Sequence, residues 1–228
     1  MRSLRRISIL ALGLAVFPAV FPLVSQAPAT APAAQDRDYA ALIGDFPHPG
    51  SDGAKADQAI LEWLQASRTP EDVARAQSEV QVSLGLFSQA AGRDLDSPRM
   101  ALTRALSLDL ERDLRAATAS LKNRFARPRP YQALPQIHPA VHLETSYAYP
   151  SGHSAWGMAQ ATLLGALRPS VRQALLDRGR LVGFDRALAG VHYPSDVAAG
   201  QRLGAAFAEA WLAGPEHRQR LEQARAEW

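Results

Sequence analysis

Apolar residues recur every three or four positions along most of this chain, and no stretch of useful length alternates as a strand would. Leu102, Leu106, Leu110, Leu114 and Leu121 share one helical face behind the start signal Ser97-Pro98. Thr69-Pro70-Glu71-Asp72 opens another helix, with Val73, Val80, Leu84, Phe87 and Ala91 at helical spacing and Gly92 as the stop. Before it, Ser51 or Asp52 caps a helix carrying Ile60, Leu61, Trp63 and Leu64. Further helices are expected from Ser151, from Arg168-Pro169-Ser170 (Val171, Leu175, Val182, Leu188) and from Pro194 (Val197, Phe207, Trp211). Gly200 and Gly204 in the last of these suit close helix contact. The stripes read as core, and the expected fold is all-α, a single-domain helical bundle.

The first segment differs in kind. Arg2, Arg5 and Arg6 precede an apolar run from Ile7 to Val24, and an Ala/Pro-rich stretch follows from Ser25 to Ala34. That is the layout of a secretory signal, and Pro18 and Pro22 argue against a retained spanning helix. Residues 1–33 are therefore expected to be a signal peptide, cleaved somewhere within 27–34. Residues 34–50 would form an N-terminal extension, irregular or extended through residue 52, with Phe46-Pro47-His48-Pro49-Gly50 strapped against the core. Residues 51–228 would form the helical domain. The signal holds three arginines and no acids, so its removal takes the formal charge from +3 to neutral and leaves no case for nucleic-acid binding. Without cysteine there are no disulfides and no thioether or lipid attachment. The mature chain is expected to be periplasmic or secreted, with no membrane association once the signal is gone.

Helical periodicity fails between Pro128 and Pro150, where Pro130, Pro135 and Pro139 also fall. An irregular stretch of that length inside a compact domain is usually functional or disordered. Tyr131, His138, His142, Tyr147 and Tyr149 favour an ordered loop at a site. Three islands of chemistry border it. Lys122 closes a helix and Arg129 sits in its proline-stiffened exit; two cations there suit either a phosphate or the helix macrodipole. Pro150-Ser151-Gly152-His153 begins a helix, where unpaired N–H groups favour an anion, or where Ser151 is simply a cap beside a spare histidine. Asp185-Arg186 is followed by His192 and Asp196, four apart at a helix start; such a carboxylate can orient the imidazole and leave its other nitrogen free to attack. The last pair also reads as a surface histidine near a first-turn acid.

Together the islands carry Lys, six residues, Arg-Pro; then Pro-Ser-Gly-His; then Arg, five residues, His, three residues, Asp. In order and spacing this resembles the signature of the type 2 phosphatidic acid phosphatase and haloperoxidase superfamily. Within it the chain looks most like the bacterial class A non-specific acid phosphatases, over most of residues 45–228. The resemblance implies a helical bundle of that superfamily and a metal-independent, broad-specificity phosphomonoesterase working through a phosphohistidine. By the matched positions, His192 would be the nucleophile, Asp196 its orienting acid and His153 the proton donor. Lys122, Arg129, Ser151, Gly152 and Arg186 would hold the phosphate. No cofactor is expected, while phosphate or vanadate should bind the site. Substrates would be small phosphorylated molecules such as nucleotides or sugar phosphates, and the chain a homodimer or larger homo-oligomer. Asp185 departs from the pattern, which commonly has Ser there. It would either pair with Arg186 or point away. A metal site built on His138 and His142 is disfavoured, because Pro139 interrupts any shared helix.

Overall fold

The computed structural model describes Ala34 and residues 37–228, so the expected signal segment lies outside the described residues. No strand occurs among the described residues, and the fold is all-α. Helix α1 (Tyr39–Ile43) falls where the sequence suggests irregular chain. Asp38 caps it by accepting from the Ala41 amide at 3.1 Å. Tyr39 and Ile43, four residues apart, both bury, and the Tyr39 ring lies 5.5 Å from that of Phe207. A single turn is marginal alone; packing supplies what length cannot. Beyond it Phe46 packs on Tyr149, ring to ring at 5.7 Å.

Helix α2 (Asp52–Ser67) starts at Ser51, whose hydroxyl accepts from the Ala54 amide. Leu61 and Leu64 bury, while Ile60 and Trp63 face outward, so this stripe is narrower than its apolar count suggests. Helix α3 (Pro70–Ser78) begins with a capping box between Thr69 and Asp72. It does not run on to Ala91 as the spacing predicts. The chain leaves the helix at Glu79 and resumes as a 3-10 turn (Leu84–Phe87) and the short α4 (Ser88–Ala91), ended by Gly92 in the left-handed region. The buried Glu79 carboxylate lies 2.6 Å from Arg178, at an angle unsuited to a hydrogen bond. That anchoring, with β-branched Val80 and Val82 following, favours departure from the helix. The break has a use, because it turns the Val80 carbonyl toward His153.

Helix α5 (Ala101–Phe125) buries Leu106, Leu110, Leu114 and Leu121. Leu102 stays exposed at its first turn, where Glu227 accepts from the Leu102 and Thr103 amides at 2.7 and 2.9 Å. After the one-turn α6 (Pro130–Ala133) and the irregular loop comes α7 (Gly152–Leu167), buried on nearly every side. A helix without a polar face belongs at the centre of a bundle. It packs most heavily on α8 (Arg172–Leu188) and α9 (Pro194–Leu212), and less on α5; α10 (Pro215–Ala224) closes the far side. A Cβ on Gly204 would stand 2.0 Å from the Ala155 carbonyl oxygen, and one on Gly200 2.4 Å from that of Ser151. Only glycine permits this approach, and it brings the α7 and α9 N-termini together: the Ser151 amide donates to the Asp196 carbonyl at 3.0 Å. No helix among the described residues is long and apolar enough to cross a membrane.

Candidate active site

The two converging N-termini face the C-terminal turns of α5 and α8, and every residue singled out in the three islands lies at these helix ends or in the adjoining loops. His192 sits just before α9 and is buried. Asp196, in the first turn, accepts from the Tyr193 amide at 2.8 Å, and the same oxygen stands 3.3 Å from His192 Nδ1. One carboxylate thus caps the helix and orients the ring. Nδ1 carries the proton toward Asp196, which leaves the Nε2 lone pair facing Arg129 Nη1 at 3.0 Å. Burial first, then Arg129 and Lys122, holds the His192 pKa well below its ordinary value. A neutral imidazole with an oriented lone pair is a competent nucleophile.

Behind Asp196 lies a set that sequence reasoning missed. Arg127 donates to Asp196 Oδ1 at 2.5 Å, to Asp57 Oδ2 at 2.9 Å and to the Ser195 hydroxyl at 2.7 Å. Asp57 also accepts from the Ser195 amide at 2.9 Å and from its hydroxyl. The Arg127 guanidinium rests 3.8 Å from the Tyr193 ring centre and 4.9 Å from that of Phe46. Burial pushes the Asp196 pKa up to about 6, with Arg127 and the Tyr193 amide opposing it. Arg127 is a positioning residue, acting on the nucleophile through Asp196.

The opposite wall carries the cations. Arg129 is wholly buried, donating to the carbonyls of Ser146 (2.8 Å) and Val191 (2.9 Å), to the Ser146 hydroxyl (3.0 Å) and to Glu144 (2.6 Å). Lys122, in the last turn of α5, donates to the Tyr147 carbonyl; burial, then Arg129, lowers its pKa to about 8. Arg186, in the last turn of α8, reaches the Ala76 carbonyl at 3.3 Å, but its buried Nε has no hydrogen-bond partner. A buried guanidinium N–H left unmatched is costly unless an anion meets it. Asp185 does not pair with Arg186. It turns away to a two-pronged ion pair with Arg75, both contacts 2.8 Å, and Arg75 also holds Asp72.

The α7 N-terminus completes the enclosure. Ser151 is fully buried and its oxygen accepts from the Ser154 hydroxyl at 2.8 Å and amide at 3.4 Å, so only its own hydroxyl proton remains to donate elsewhere. A Cβ on Gly152 would meet nothing nearer than Lys122 Cε at 4.0 Å, which places this backbone beside the lysine. His153 Nε2 donates to the Val80 carbonyl at 3.2 Å, leaving Nδ1 as the nitrogen that gains or loses a proton. Burial, then Arg186, lowers its pKa to about 4. A cleft of about 360 Å³ opens from this point between α5 and α7, with Leu114, Thr118, Lys122, Gly152, His153 and Trp156 on its walls. His138 and His142 stand exposed in the loop, and no group of three His, Asp or Glu able to hold a metal ion occurs among the described residues.

A buried, carboxylate-oriented histidine facing three basic side chains and a helix N-terminus defines a site for handling an anion. Residues 101–220 match the PAP2 superfamily model, and the chain belongs to that superfamily. It is 29% identical to the non-specific acid phosphatase of Providencia stuartii over 202 residues, spanning 84% of this chain and 81% of that one. An acid phosphatase of Zymomonas mobilis is 31% identical over 150 residues, 62% of this chain and 55% of the relative. In structure it is similar to a transmembrane PAP2-type phosphatidylglycerolphosphate phosphatase from Bacillus subtilis (TM-score 0.56, 23% identity, 78% of this chain and 90% of that one). Aquifex aeolicus LpxE is similar too (TM-score 0.53, 24% identity, 68% and 94%). Membership and these relatives support a phosphatase enzyme.

Proposed function

We propose that this chain is an exported acid phosphatase hydrolysing phosphomonoesters through a phosphohistidine on His192, without a metal and with broad specificity. The observation that carries this is the His192 ring itself, held at Nδ1 by Asp196 and directing Nε2 among Arg129, Lys122 and Arg186. In the first step Nε2 attacks phosphorus, the P–O ester bond breaks, and His153 gives its proton to the leaving alkoxide. In the second, water attacks phosphorus, His153 takes a water proton, and the P–N bond breaks to release orthophosphate and free His192. Lys122, Arg129, Arg186, the Ser151 hydroxyl and the α7 amides would hold the non-bridging oxygens. Phosphoryl transfer needs chiefly this positioning and charge stabilisation. The orphan Nε of Arg186 is a donor that such an oxygen would satisfy.

A phosphate dianion beside His153 favours its charged form and so lifts its pKa back toward the working range. The cleft between α5 and α7 would take the leaving group, wide enough for several classes of alcohol such as nucleosides or sugars. Export rests on the basic and apolar pattern of residues 1–33, and oligomerisation on likeness to acid phosphatases. The decisive experiment is rapid alkaline quenching during turnover of a chromogenic phosphate ester, with mass analysis of the peptide containing His192. Phosphate on that residue, and loss of turnover in a folded His192→Ala variant, are expected. Turnover surviving that substitution would overturn the reading. Chelation should leave the rate unchanged, and vanadate should inhibit as a mimic of the transferring phosphoryl group.

A further inference from the structure

Glu144 stands in the loop before α7, and neither the sequence signature nor the phosphate cage accounts for it. Its carboxylate takes Arg129 Nη2 at 2.6 Å. Its charge also acts on Lys122 from α5, His153 from α7 and Arg186 from α8, so one carboxylate faces all the cations expected to hold phosphate. Arg129 does not need it for orientation, being held already by the Ser146 carbonyl and hydroxyl, the Val191 carbonyl and His192. The loop does not need it either, since Tyr131 anchors it by donating to the Glu144 backbone carbonyl at 2.7 Å. The Glu144 side chain is 38% exposed, whereas that of Arg129 is fully buried, so the carboxylate has water to retreat into.

Resting on the reading of Lys122, Arg129 and Arg186 as the phosphate cage, we propose that Glu144 is an affinity-determining residue. It occupies the guanidinium edge that a phosphate requires, and phosphate enters only by displacing or protonating it. Two anions on one guanidinium cannot both remain charged at little cost. Burial raises the Glu144 pKa, but Arg129, His153 and Lys122 together outweigh it and hold the group below its ordinary value. In the free enzyme the competing charge is therefore present at neutral pH and is lost only as pH falls through that lowered pKa. Phosphate opposite it moves the pKa the other way, so binding takes up a proton and weakens as pH rises.

The test is calorimetric titration of inorganic phosphate into wild type, Glu144→Gln and Glu144→Ala across acidic to neutral pH, with KM and kcat for one ester alongside. Both variants should bind phosphate about tenfold more tightly at neutral pH, with KM falling in step and the advantage shrinking toward acid. Unchanged affinity overturns the proposal. Weaker binding in both variants also overturns it, by making Glu144 a clamp that positions Arg129. If wild type binds no phosphate and Arg129→Ala changes nothing, the cage itself is wrong and this inference falls with it, an outcome separable from the other two.

Discussion

Arg127 and Arg129 lie two residues apart in one segment and are both buried, yet they are used in opposite ways. Arg127 is matched by two carboxylates, Asp57 and Asp196, and sandwiched by Tyr193 and Phe46. Arg129 meets carbonyls, a hydroxyl, the attacking nitrogen of His192 and a single, partly exposed carboxylate. A guanidinium whose charge is cancelled orients its neighbours. One held mainly by neutral acceptors keeps net positive charge for an incoming anion. The difference lies in the partners and not in the residue type.

Substitutions break this comparison in a definite order. Arg129→Ala should lower kcat/KM by about 10²–10³-fold, as for loss of one transition-state donor, with little change in the unfolding midpoint. Steady-state kinetics together with urea unfolding checks both halves. Arg127→Met should do the reverse in emphasis. It strands Asp57 and Asp196 as buried charges, costing about 3–5 kcal/mol in urea unfolding, with a smaller loss of kcat through misorientation of His192. If Arg129→Ala destabilises more than Arg127→Met, the assignment of roles is inverted.

Next in size is pH. His153 must carry a proton to donate it, so kcat should fall as pH rises between about 5 and 9. The free-enzyme pKa near 4 places the reversal at the acid end only if bound phosphate fails to raise it. A rate climbing steadily over that range would exclude His153 as the acid. The smallest effect belongs to Asp185→Asn. Arg75 is a third exposed and keeps Asp72, so we expect a loss of about 1 kcal/mol or less and kcat/KM within about twofold of wild type.

Much of this was legible beforehand. The three islands name the residues at the helix ends, and Ser51, Thr69, Pro98, Ser151 and Pro194 mark helix starts correctly to within a few residues. Val80 through Ala91 misled, because apolar spacing there continues a helix that Glu79 and Arg178 interrupt through space. Leu102, Ile60 and Trp63 kept helical spacing but not burial, since which neighbours cover a face is not a property of that face. Asp57 carried no signal at all. It is one acid among several on an exposed-looking helix until folding sets it against Arg127, seventy positions away.

What the sequence by itself determined is local: helix-forming periodicity, caps, prolines and the fixed gaps that put His192 and Asp196 on one turn. These depend on interactions within a few residues of each other. Tertiary structure alone decided that Asp185 faces Arg75, that Arg127 is neutralised while Arg129 is not, and that Glu144 stands among the phosphate-facing cations. The physical reason is that charge pairing in a buried site depends on distance and desolvation, and neither is encoded by spacing along the chain.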